Sequence, residues 1–164
     1  MSTRFVKLGQ FLVVRIALIV LVSLSGLTVA GTVPASKQCQ KSEERAAGEI
    51  AGALATWATV HDAYQRFAHC DDGSIGEGFS ESISNLLAYR WAECSELSRL
   101  TQHDKQFEAF VLKHIDSTVP EERLNTISEN ATRRCKSGVQ LCERIAQSAK
   151  LAQREGSAEP TTTR

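Results

Sequence analysis

The sequence predicts an all-α fold: a single-domain bundle of five to six helices, preceded by a signal peptide helix. Three observations carry that expectation. Apolar residues recur at steps of three and four through most of the chain from Ser42 to Ala149, the spacing of one face of a helix. No stretch of useful length alternates apolar and polar residues as a half-buried strand would. A short corner, Cys70-Asp71-Asp72-Gly73-Ser74-Ile75-Gly76-Glu77-Gly78, sets three glycines and two adjacent acids between two long helical patterns.

The N-terminal element is an export signal by pattern. Arg4 and Lys7 precede an apolar run from Ile16 to Val29, and small residues follow at Thr28-Val29-Ala30 and Val33-Pro34-Ala35, the layout of a cleavable secretory leader. The alternative is an uncleaved anchor over Phe11–Ala30, which at about 20 residues just reaches across a bilayer; Arg15 interrupts it, which favours cleavage. The expected division is a signal peptide over 1–35, a helical domain over 36–154 and a disordered polar tail over 155–164. The three bases of the leader face no acid, so the remainder, with 16 Lys and Arg against 19 Asp and Glu, is mildly acidic. That charge is a poor match for a phosphate backbone and argues against nucleic-acid binding.

The strongest helical segment is Ser42–His69. Ala47, Ile50, Leu54, Trp57, His61, Tyr64 and Ala68 form one stripe, and Glu43 and Glu44 stand in the first turn, where the helix dipole favours acids. One long rod is therefore expected, ending at Asp71-Asp72-Gly73. The second helix starts near Ser74, capped by Asp72 or Ser74, buries Ile75, Phe79, Ile83, Leu86 and Leu87, and runs to Trp91–Glu93. A short third helix covers Cys94–Leu100. Asp104 is a candidate N-cap for the fourth, whose stripe is Phe107, Phe110, Val111, His114 and Ile115. Thr118 and Glu121 have capping-box spacing and Pro120 suits a first turn, so a fifth helix is expected to Arg134. Gly138 resets the chain, and Val139, Leu141, Cys142, Ile145 and Ala149 carry the sixth.

Export makes the five cysteines candidates for two bridges with one thiol left over. An unbroken helix of thirty residues spans roughly 45 Å, whereas a disulfide needs Cα atoms within about 7 Å. Cys39 and Cys70 are thus expected not to pair unless the first rod is broken, and Cys70 and Cys94 meet the same objection. A helical hairpin would allow Cys39–Cys94. Cys135 and Cys142 flank a short turn and form the favoured pair, adding roughly 2–3 kcal/mol in the chain-entropy picture. The competing arrangement ties Cys70 to Cys135 or Cys142.

No catalytic or metal set stands out. An EF-hand with Asp72 at its fifth place would need acids where Ala68 and Cys70 stand and Glu where Phe79 stands. His69-Cys70 and Cys94 lack the spacing of a zinc site, and no cofactor is implied. His61 reads as a core histidine. His114 and Asp116 are expected to point apart, a poor start for a base and its orienting acid. Asn130-Ala131-Thr132 matches a glycosylation sequon but falls within a helix. One of Asp71 and Asp72 is expected to cap the second helix and the other to be solvated; two exposed acids with Glu77 nearby would suit a basic protein partner.

The run CDDGSIGEGFSES, followed by LLAYRW, FVLKHIDSTVPEERL and LC, resembles small exported bacterial proteins of unassigned function. Their layout is similar to periplasmic immunity proteins that neutralise type VI secreted cell-wall amidases. The resemblance covers about Ala55–Ala149. It implies a non-catalytic periplasmic or secreted inhibitor, often a homodimer, that occludes a secreted amidase toxin. The acids of the corner, Asp71, Asp72 and Glu77, are the candidate partner-binding residues on the reading of the residues themselves, and the membrane is involved only through the signal segment if that stays uncleaved. The alternative is a structural or ligand-binding envelope protein, and after it a small enzyme using His114 and Asp116.

Overall fold

The computed structural model describes residues 37–136 and 138–157; the expected signal segment and the last seven residues lie outside them. The described residues are helical, without strands: α1 Lys41–Ile50, α2 Trp57–Phe67, α3 Gly73–Tyr89, α4 Cys94–His103, α5 Lys105–Lys113, α6 Glu121–Arg133 and α7 Val139–Ser157. Three 3-10 turns, Ala51–Ala53, Ala68–Cys70 and Trp91–Glu93, join neighbouring helices. No described helix is long and apolar enough to cross a membrane.

The count exceeds the expected five to six because the first rod is two helices. Ser82, on α3, explains the break. Its hydroxyl donates to the Ala51 carbonyl at 2.6 Å and accepts the Leu54 N–H at 3.0 Å, which satisfies two backbone groups that an uninterrupted helix would have satisfied itself. Arg90 donates to the Ala55 carbonyl as well. The backbones approach closely here: a Cβ at Gly78 would lie 2.9 Å from Ala51 Cβ and 3.0 Å from Gly52 N. Beyond the break the chain restarts with Thr56 as N-cap, accepting the Thr59 N–H, while Thr59 Oγ1 accepts from Thr56 N. This is the reciprocal logic of a capping box.

Splitting the rod overturns the expected cysteine map in one respect. The two halves fold back, and Cys39 and Cys70 form a disulfide with Cα atoms 4.9 Å apart. Cys135–Cys142 forms as expected, with Cα atoms 6.2 Å apart. Cys94 is the buried free thiol, and burial pushes its pKa up to about 11, which keeps it protonated and unreactive.

The centre of the bundle is α3. It packs on α1, on α2, on α6 and on the Ala51–Ala53 turn, while α6 lies along α7 and α5 bridges α2, α4 and α7. Phe79, Ile83, Leu86 and Leu87 of α3 are buried with Trp57, Leu97, Phe107, Leu124, Ile127 and Ile145 from the surrounding helices. Asn130 of α6 donates to the Leu87 and Ala88 carbonyls, which satisfies carbonyls at the end of α3 that lack helical partners.

The other starts and stops divide. Asp104 caps α5 by accepting the Phe107 N–H at 2.8 Å, as expected. Thr118 does not cap α6, whose N-cap is Pro120; its N–H and hydroxyl both donate to Asp116 Oδ1. The polar stretch expected to begin a disordered tail is helical through Ser157.

Ser82→Ala leaves the Leu54 N–H and the Ala51 carbonyl without their partner. Each such loss costs about 1–3 kcal/mol. Urea unfolding followed by circular dichroism is expected to show a destabilisation of that size; an unchanged midpoint would mean that the break is held by something else.

Candidate functional site

The corner after α2 is built on Asp72, which caps α3 by accepting the Gly73 N–H at 2.8 Å. Gly73 takes φ +50°, a left-handed conformation that glycine enters without a Cβ penalty. The turn aims the preceding residue, Asp71, inward. Its side chain is only 5% exposed, so the expectation that the acid left over from capping is solvated or faces a partner is corrected for Asp71. Asp72 and Glu77 are exposed.

Inside the corner five side chains meet. Asp71 Oδ2 lies 3.2 Å from His114 Nε2 and accepts from Lys113 Nζ at 2.7 Å. His114 Nδ1 lies 3.0 Å from Ser80 Oγ, which in turn donates to Asp116 Oδ2 at 2.9 Å. The expectation that His114 and Asp116 point apart is therefore wrong. Helical spacing within one segment could not foresee it: α5 ends at Lys113, His114 leaves helical geometry as the C-cap, and Ser80 arrives from α3. The ring packs edge-on against Phe110, with centroids 4.5 Å apart, and tilted against Phe79 at 5.6 Å.

Burial raises the pKa of both carboxyls, and their partners more than reverse it. His114 and then Lys113, by hydrogen bond and by charge, hold Asp71 below the ordinary value of 3.8. For Asp116 the Thr118 hydroxyl and N–H lead, followed by Ser80 and the charge of His114. With both carboxylates ionised, proton counting fixes the roles. A carboxylate only accepts, so the single hydroxyl proton of Ser80 goes to Asp116. Ser80 Oγ must then accept from Nδ1–H, and Asp71 from Nε2–H. Asp71 Oδ1 is buried with no hydrogen-bond partner among the described residues. It faces Gly76, where a Cβ would stand 3.1 Å away.

This chain of serine, histidine and aspartate has the members of a nucleophilic triad but not its arrangement. An activated serine gives its proton to the histidine. Here the hydroxyl proton is committed to Asp116, and the imidazole donates toward the serine oxygen. What the array does is join α3, the corner before it and the segment after α5.

On the outer side, α1 and the Ala68–Cys70 turn close around the Cys39–Cys70 bridge. His69 Nε2 lies 3.1 Å from Glu43 Oε2, and Lys37 donates to Glu43 Oε1 at 2.6 Å. The bonds from Lys37, His69 and the Gln40 N–H hold the Glu43 carboxyl down at about 2. Two shallow clefts adjoin at Ser74. One, of about 450 Å³, carries Asp72 and Glu44; the other, of about 410 Å³, carries Glu77 and Glu81 beside Ser80. The most voluminous groove described, about 740 Å³, lies elsewhere, between α6 and α7, where Val139 and Leu151 are more than half exposed and Glu143, Lys150 and Arg154 line the walls.

Comparisons with known protein families, with characterised proteins and with solved structures found no match.

A carboxyl whose pKa is depressed on folding stabilises the fold fully above its unfolded value and loses that contribution as pH falls through the folded one. The native chain is therefore expected to weaken steeply as pH drops below 3.8. Asp71→Asn removes the buried carboxylate that the exposed Lys113 and the buried His114 share; leaving buried groups without their hydrogen-bond partner costs about 1–3 kcal/mol at neutral pH, and losing the carboxylate flattens the acid limb. Urea melts across the acid range check both; a variant as stable as the native chain at neutral pH would remove the structural role.

Proposed function

We propose that this chain is a non-catalytic binding protein of the periplasm or secreted space, of the inhibitor type, that occludes the cleft of a secreted cell-wall hydrolase. One observation carries the reading. Glu44, Asp72, Glu77 and Glu81 are exposed along two clefts that adjoin at Ser74, on a corner fixed from outside by Cys39–Cys70 and from inside by Asp71–His114. A charged surface that is already rigid recognises a partner without an ordering cost, and its acids suit a basic rim. The two disulfides suggest an oxidising, non-cytoplasmic compartment. The catalytic alternative has less support, because the Ser80 hydroxyl is committed to Asp116 and the buried His114 is held between Ser80 and Asp71.

Affinity purification of the exported chain is expected to retain a secreted hydrolase. The pair Glu44→Lys and Glu77→Lys, one exposed acid on each cleft, is expected to weaken that binding by roughly tenfold or more through like-charge repulsion, with helical circular dichroism unchanged. Asp71 is the wrong residue to reverse, because its loss reports on folding. Equal binding by the charge-reversed chain would move the contact elsewhere, and turnover of a cell-wall substrate by the purified protein would replace this reading with the enzymatic one.

A further inference from the structure

A second cluster sits on the outer face of the corner, away from the His114 array. Glu43, His69 and Cys70 each offer one donor atom, and these atoms lie within 4.8 Å of one another. Cys39 stands outside that group, and its sulfur, bonded to that of Cys70, is the fourth donor at hand once the bridge opens. Two cysteine sulfurs, one imidazole and one carboxylate are a donor set of the kind that holds zinc tetrahedrally.

The cluster is also built to receive an ion. The Gln40 N–H donates to Glu43 Oε2 at 3.2 Å and so aims the carboxylate, the kind of outer contact that orients metal ligands. His69 and Glu43 are 15% and 25% exposed, and the cleft beside Cys39, His69 and Cys70 opens to solvent. Lys37, the cation now on Glu43, is 62% exposed and free to swing away.

We propose that the Cys39–Cys70 corner is a redox-gated site for one thiophilic divalent cation of the zinc class, held by Cys39 Sγ, Cys70 Sγ, His69 Nε2 and Glu43 Oε2. In the disulfide form only His69 and Glu43 are strong donors and the site is closed. A dithiol reductant opens it by exchange. The dithiol is oxidised to its own disulfide, and two electrons and two protons pass to Cys39 and Cys70. The incoming ion then displaces to solvent both thiol protons and the proton between His69 Nε2 and Glu43 Oε2, the neutral imidazole carrying its proton on Nδ1, and lies between His69 and Glu43. Reoxidation by a disulfide of the exchange type expels the ion. The corner would thus exchange one covalent staple for a metal staple.

The test uses the full chain carrying Cys94→Ala, Cys135→Ser and Cys142→Ser, so that the corner holds the remaining thiols, titrated with Co²⁺ as a spectroscopic stand-in for zinc. The oxidised protein is expected to show no sulfur-to-cobalt charge-transfer band. After phosphine reduction, a tetrahedral Co²⁺ spectrum saturates at one ion per chain, and zinc displaces it. His69→Ala and Glu43→Gln are each expected to weaken binding by about tenfold or more, and Cys39→Ser to abolish the charge-transfer band. The proposal is overturned if the reduced protein gives no band, if the band survives His69→Ala and Glu43→Gln unchanged, or if reduction alone abolishes the helical circular dichroism.

Discussion

One serine hydroxyl decides the architecture of the N-terminal half. Ser82 occupies the place that helical backbone would have filled between Ala51 and Leu54, and it can do so because Gly78 allows α3 to touch the turn at Ala51–Gly52. A hydroxyl both donates and accepts, so one side chain compensates one broken carbonyl and one broken N–H. The outcome is two short helices folded back on each other in place of one long rod. From that follow the approach of Cys39 to Cys70, the pinned corner, and the meeting of Glu43 with His69.

The His114 array depends on the same corner from the other side. Burying a carboxylate and an imidazole among Phe79 and Phe110 costs several kcal/mol per ion unless every proton finds an acceptor. The layout meets that condition almost completely: Asp71 takes Nε2–H and a lysine, Ser80 takes Nδ1–H, and Asp116 takes the hydroxyl proton and two more bonds from Thr118. Such a network adds little net stability over a well-packed apolar core, but it tolerates few alternative geometries. It therefore fixes where α3 begins relative to the end of α5, and with it the direction in which Asp72 and Glu77 project.

Sequence periodicity made α3 to α7 legible, because the apolar positions expected to be inward on them are buried, except Val139, which is 63% exposed. It misled in the first segment. The expected stripe of His61, Tyr64 and Ala68 is only half-buried, whereas the buried face of α2 is Trp57, Val60, Ala63 and Phe67. A stripe drawn straight through Ile50 and Leu54 shifted the register of everything after the break. The local sign was present in Thr56-Trp57-Ala58-Thr59, a hydroxyl pair at capping-box spacing inside an apparently continuous helix. The compensating hydroxyl was not legible, since Ser82 lies 28 residues from Leu54 and nothing about an isolated serine marks it as a backbone surrogate. The meeting of His114, Ser80 and Asp116 was hidden for the same reason. It is made across helices, and spacing along one helix says nothing of it.

The two bridges do different work. In the chain-entropy picture, closing the 31-residue separation of Cys39 and Cys70 stabilises by about 3.7 kcal/mol, against about 2.4 kcal/mol for the seven-residue separation of Cys135 and Cys142. The larger contribution falls where α1 would otherwise be the most easily detached element, since it packs on the rest chiefly through Ala47 and the half-buried Ala46 and Ile50. A short helix with so small an apolar face holds weakly by itself. The bridge keeps Glu43 and Glu44 beside Asp72 and so keeps the acidic clefts in one shape.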